Sequence, residues 1–256
     1  MKKYLKSIGV VLGVIILWKL ALYVANMGYT LTYVVSKNEI ISNVFRVALL
    51  IIILILIIKT ELVQTVNFKK INFSTICNML ILGIGMDGIQ ALISRSLSTI
   101  FPSYLKFSES ILNSAGSYFQ LLIIVILGPI LEEIFFRGVI FGYLKKNFNI
   151  IAAIIVQALI FGIMHGNIVQ SIYAFISGIV FAIVYLHYES LFACIIVHIE
   201  MNFFGTIVNR FLVSKFNNEI TIMILFIVVG IVCTTIPAIK IIKEYKAKRD
   251  EKISIQ

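Results

Sequence analysis

The chain has 256 residues, 60% of them hydrophobic, and its 22 lysines and arginines against 12 aspartates and glutamates leave a formal net charge of +10. Its mean hydropathy of +1.03 excludes an ordinary water-soluble domain, whose composition is about half apolar. Unbroken apolar runs such as 47–58 and 222–232 exclude a narrow amphipathic stripe and fit helices with lipid around most of their girth.

At about 20 apolar residues per crossing, the chain has room for about eight helices and for little else. The expectation is an all-α, polytopic membrane protein, a single transmembrane unit over 1–256. In chain order the predicted segments are 7–25, 40–58, 76–92, 117–144, 150–165, 168–187, 190–206 and 219–241. The first opens with a basic cluster and an apolar stretch, as a signal peptide does. Lys19 interrupts it and no small-x-small cleavage site follows, so it reads as a retained helix. The third carries Asp87 with Gly83, Gly85 and Gly88, which suits packing inside the bundle rather than exposure to lipid. Cys77, Cys194 and Cys233 lie in apolar segments without a C-x-x-C spacing and read as small buried hydrophobes. No internal repeat is visible, and the tail 239–256 is polar and basic.

The charges alternate with the predicted crossings. One side holds Lys2, Lys3, Lys6, Lys59, Lys69, Lys70, Arg137, Lys145, Lys146, Lys240, Lys243, Lys246, Lys248, Arg249 and Lys252; the other holds only Lys37, Arg95, Lys106, Arg210 and Lys215. Fifteen against five places both termini in the cytoplasm by the positive-inside rule. The basic balance is thus topogenic, with the lipid bilayer as partner and no nucleic acid.

Ionisable groups inside apolar segments carry the chemical information, because each costs about 2.5–3.5 kcal/mol at a helix centre on insertion scales. Glu132, Glu133 and Arg137 stand together in GPILEEIFFRG. Glu133 and Arg137 are four apart, on one helical face, and can pair. Glu132 is rotated by about 100° and is left for other work. Phe161 and His165 share a face in FGIMHGN, as do His198 and Asn202 in HIEMN. Counting from the turn at 146–149 puts Glu132 and His165 at similar depths on antiparallel neighbours, with His198 and Asn202 comparable though shallower. Three helices then converge on one polar pocket.

Amide hydrolysis needs a base for water and donors for the developing oxyanion. Glu132 and His165 suit the first task, His198 and Asn202 the second. Glu132, His165 and His198 are also a set that can bind zinc and leave an open position. Residue types alone do not choose between these uses.

The ordered set Glu132-Glu133-x-x-x-Arg137, Phe161-x-x-x-His165 and His198-x-x-x-Asn202, with Ser190-Leu191 before the last motif, resembles the CAAX protease and bacteriocin-processing family of intramembrane proteases, also called the Abi family. The resemblance covers about 117–206. It implies an eight-helix bundle in which Glu132 and His165 activate water and His198 and Asn202 stabilise the oxyanion, with Glu133, Arg137 and Phe161 in support. It further implies a peptide or membrane-protein substrate; a mechanism without cofactor is preferred to a zinc one. Phe192 stands where tryptophan is frequent in the family, and His187 and Glu200 match no required position.

Other intramembrane proteases fit less well: there is no HExxH, the only aspartates are Asp87 and Asp250, and Ser177-Gly178 lacks a G-x-S-G context. Two further classes compete with an endopeptidase. One is a non-catalytic scaffold or bacteriocin self-immunity protein that binds a peptide in the same groove. The other is a transporter using the acids and histidines as proton relays, which would be expected to show repeated half-helices. Ile-, Lys- and Asn-rich usage points to a bacterial cell membrane and to a secreted peptide, pheromone or bacteriocin precursor as substrate.

Overall fold

The computed structural model describes residues 2–59, 67–114, 118–209, 211 and 219–254. They form nine helical elements: α1 (Lys2–Ser36), α2 (Glu39–Ile58), α3 (Phe73–Ser98), α4 (Ser103–Ser114), α5 (Tyr118–Asn147), α6 (Ile150–Met164), α7 (Ile168–Tyr188), α8 (Leu191–Val208) and α9 (Glu219–Ser254). Among the described residues seven helices are long and apolar enough to cross a membrane, and α6 is a shorter apolar helix. These eight coincide with the eight expected segments, so the protein is an all-α, multi-pass membrane protein. The one β feature among the described residues is an isolated antiparallel bridge between Phe68 and Ser190.

Asparagines start four of the helices. The side chains of Asn38, Asn72, Asn149 and Asn167 accept from backbone N–H groups two or three residues on, satisfying donors that the first turn otherwise leaves orphaned. This fixes where each helix begins, and Asn167 does so two residues after His165.

Glycines set the closest contacts. A Cβ at Gly85 would lie 2.6 Å from backbone atoms of Cys233 and Thr234, and one at Gly88 would lie 2.8 Å from the Phe226 carbonyl oxygen. The α3 backbone therefore rests directly on α9, as the small residues of the third segment anticipated. Gly85→Leu should lower stability by about 1–3 kcal/mol through overpacking. Gly13→Leu, at a position with nothing within 4 Å of its Cβ, should be silent. A thermal melt in detergent comparing the two variants checks this, and equal effects would contradict the packing. Asp87 is buried beside the same seam, and both its carboxylate oxygens accept from Asn209 Nδ2, at 3.1 and 2.9 Å.

One end of the bundle is tied together by polar contacts. Ser190 Oγ donates to the Lys69 carbonyl and Leu191 N to that of Asn67. Lys69 lies 3.7 Å from Glu189, His187 Nε2 lies 2.8 Å from Glu244 Oε2, and Lys240 Nζ donates to Ser74 Oγ. The start of α3, the end of α7, the start of α8 and the latter half of α9 therefore share a basic rim, to which the end of α5 adds Lys145, 5.0 Å from the Tyr185 ring centroid.

Two expectations change. Arg137, counted among the charges of the basic side, is fully buried within the bundle, because Glu133 and two aromatic rings hold it there. The amphipathic helix α4 lies between the third and fourth expected segments and was not anticipated. Arg210 and Lys215, assigned to the opposite side, lie outside the described residues.

Candidate active site

The motif-bearing helix α5 is not a uniform α-helix. It holds π-helical turns at Ile123–Leu127 and Ile134–Phe141 on either side of an α-helical stretch, Gly128–Glu133. Pro129 gives a reason for the first: it has no N–H for the carbonyl four residues back, and its ring crowds that carbonyl, so the preceding turn widens. The widened turn leaves the Ile124 carbonyl to accept from Asn202 Nδ2 at 3.0 Å. One proline thereby links α5 to α8 beside the second histidine motif.

The adjacent glutamates lie in different environments. Glu133 is fully buried, and its Oε1 is 2.8 Å from Arg137 Nη1 and 2.8 Å from His198 Nδ1. The Arg137 guanidinium is held between the rings of Phe161 and Phe181, 4.5 and 4.8 Å from their centroids, where a planar cation meets two negative ring faces. Glu132 is 36% exposed, and its Oε2 lies 3.8 Å from His198 Nε2. One carboxylate is thus enclosed by Arg137 and His198, and the other faces open space.

That space is a cavity of about 450 Å³ whose walls include Glu132, Phe161, His165, His198 and Asn202. The four residues expected to carry the chemistry therefore share one cavity, with Glu133 and Arg137 directly behind it. His165 is the C-terminal cap of α6; Gly166, at φ +74°, turns the chain in the left-handed region that glycine adopts without strain. His165 Nδ1 lies 2.7 Å from the Phe161 carbonyl. A carbonyl only accepts, so Nδ1 carries a proton, and in the neutral ring Nε2 is the acceptor. His198 Nδ1 donates likewise to Glu133. Phe161 packs edge-on against both imidazoles, 4.8 and 5.9 Å between centroids, and fixes their ring planes.

Zinc needs donors about 2.0–2.2 Å from a common centre. Among the described residues no three His, Cys, Asp or Glu side chains are grouped closely enough to hold one ion. Glu132, His165 and His198 do not form such a cluster in this arrangement.

Several walls of the cavity were not expected from the sequence. Tyr104 and Phe107 come from α4, and Gln90 from α3. The Glu133–His198 contact joins residues 65 apart, beyond any helical spacing. Phe192, in the place of the family's frequent tryptophan, packs against Phe68 at 5.3 Å, next to the Phe68–Ser190 bridge.

Residues 114–204 match the sequence model of a family described as Rce1-like, type II CAAX prenyl endopeptidase. A curated relative from Bacillus subtilis (strain 168), named "Putative membrane peptidase YdiL", is 39% identical over 89 residues, which are 34% of this chain and 36% of the relative. The match thus spans about a third of that relative's length. No solved structure matches the chain. Over residues 114–204, the stretch that holds every motif residue from Glu132 to Asn202, the chain carries the sequence pattern of the Rce1-like CAAX prenyl endopeptidase family.

Proposed function

We propose that this protein is an intramembrane endopeptidase in which Glu132 and His165 activate water and His198 and Asn202 receive the oxyanion. The observation that carries the reading is the division of labour between adjacent carboxylates: Glu133 is buried against Arg137 and His198, while Glu132 opens on a cavity shared with His165, His198 and Asn202.

In the proposed reaction Glu132 takes a proton from water as the water oxygen attacks the peptide carbonyl carbon. His165 Nε2 accepts the water's second hydrogen bond and orients it. The carbonyl π electrons move onto oxygen, and the oxyanion accepts from the Asn202 N–H not donated to Ile124 and from His198 Nε2–H. In this step His198 donates from both ring nitrogens, Nδ1–H to Glu133 and Nε2–H to the oxyanion. Collapse of the intermediate breaks the C–N bond, and the proton held by Glu132 passes to the leaving amine. The second water proton, left on the new carboxyl group, passes to the amine, so the products are a carboxylate and an ammonium group, with one water consumed.

The test is cleavage of a membrane-delivered peptide library by purified wild type and Glu132→Ala, each with and without a chelator. Glu132-dependent, chelator-insensitive cleavage is the expected result. Loss on chelation with recovery on adding zinc would make His165 and His198 metal ligands. Binding without cleavage by the wild type would favour a scaffold or self-immunity protein that uses the same cavity.

A further inference from the structure

The candidate site reaches from the middle of the bundle towards one end. The basic rim lies at the start of α3, the end of α5, the start of α6 and the start of α8. At about 1.5 Å per helical residue, Glu132 lies about 20 Å from Lys145 along α5, and His165 about 22 Å from Ile150 along α6. Gln90 is about 24 Å from Ser74 along α3; along α8, His198 is about 12 Å, Asn202 about 18 Å and Gly205 about 22 Å from Ser190. Across a hydrocarbon core of about 30 Å, His198 stands just short of the midpoint, while Glu132, His165, Asn202, Gln90 and Gly205 stand beyond it, towards the end away from the basic rim.

A second cavity, of about 710 Å³, lies at that end between α3, α4, α8 and α9. It shares Gln90, Tyr104, Ser108 and Gly205 as walls with the catalytic cavity, so the two adjoin. Its other walls combine Ser94, Arg95, Ser98 and Asn209 with Leu105, Met223 and Phe226, a mixed lining that can meet both the backbone and the apolar side chains of a peptide. Tyr104 Oη donates to Ser94 Oγ at 3.2 Å, holding α4 against α3 along this vestibule. Towards the basic rim the cavity is backed by buried groups: Glu133, Arg137, Phe181 and Cys194 are fully enclosed.

We propose that the catalytic cavity is reached through this vestibule from the face opposite the basic rim, which by the positive-inside rule is the non-cytoplasmic face, and that the peptide it takes is one presented on that face. The side of access rests on the fold and the charge distribution; that a peptide is what enters rests on the proteolytic reading above.

Membrane vesicles of either orientation test it, with a membrane-impermeant maleimide added outside and labelling read as the increment over wild type. Ser96→Cys is at an exposed vestibule position and Lys243→Cys at an exposed rim position. Ser96→Cys should label in right-side-out vesicles and Lys243→Cys in inside-out ones. Labelling of Ser96→Cys only from inside-out vesicles, or equally from both, overturns the proposal. The peptide library, added outside, should be cut by right-side-out vesicles alone; cutting by inside-out vesicles alone overturns it as well. Outside labelling of Ser96→Cys with no peptide cut in either orientation would leave the side of access standing and remove the proteolytic reading.

Discussion

Glu132→Gln is expected to lower peptide cleavage by about 10²–10⁴-fold, the usual contribution of a positioned general base, while the protein still folds and inserts. The amide keeps the side chain's shape but cannot take a proton from water. Little stability depends on this carboxylate: it is 36% exposed, and its contact with His198 Nε2 is a long 3.8 Å. Its removal should therefore stay within about 1 kcal/mol in stability, as for side chains without buried partners. Initial rates on a cleaved peptide, read beside a thermal melt, separate the two quantities. Wild-type rates in Glu132→Gln would remove Glu132 from the mechanism. Glu133→Gln supplies the contrast. Its buried oxygen faces both Arg137 and His198, so the variant should lose stability and activity together, though the two residues are neighbours of the same type.

That contrast was half legible in the sequence. The four-residue spacing of Glu133 and Arg137 implies their pairing and the rotation of Glu132 away from them, because helical periodicity relates positions a turn apart. It relates nothing across the bundle, so the Glu133–His198 contact and the Asp87–Asn209 bond, between residues 122 apart, carried no signal. The helix positions were legible for the reason that makes the protein a membrane protein: apolar runs of crossing length stand out. Their ends were less so. α1 and α9 continue past their apolar runs to 35 and 36 residues, since a helix does not stop where lipid does. α4, with sequence SYLKFSESILNS, is short and half polar, and a search for crossings passes over it. Pro102 ahead of it was its one start signal. The first π turn of α5 had a cause in view at Pro129, but only the structure shows that the freed Ile124 carbonyl is taken up by Asn202.

Arg137→Ala should be the most disruptive single substitution in the site. Two terms act in the same direction. Removing the guanidinium leaves the Glu133 carboxylate buried without its cation, a loss that typically costs about 3–5 kcal/mol. It also empties the slot between Phe161 and Phe181, whose rings lie 4.5 and 4.8 Å from the guanidinium carbon, and these rings orient His165 and His198 in turn. At about 2–4 °C per kcal/mol for a chain of this size, the melting temperature should fall by about 10 °C. Cleavage should fall with it, through misplaced imidazoles rather than through loss of a reacting group. Arg137→Lys distinguishes charge from shape. An ammonium restores the counterion but is neither planar nor able to stack between two rings, so this variant should recover part of the stability and less of the activity. If Arg137→Ala melts within about 2 °C of wild type, the buried pair is not what holds α5 against α6, α7 and α8, and the separation of roles between Glu132 and Glu133 loses its structural basis.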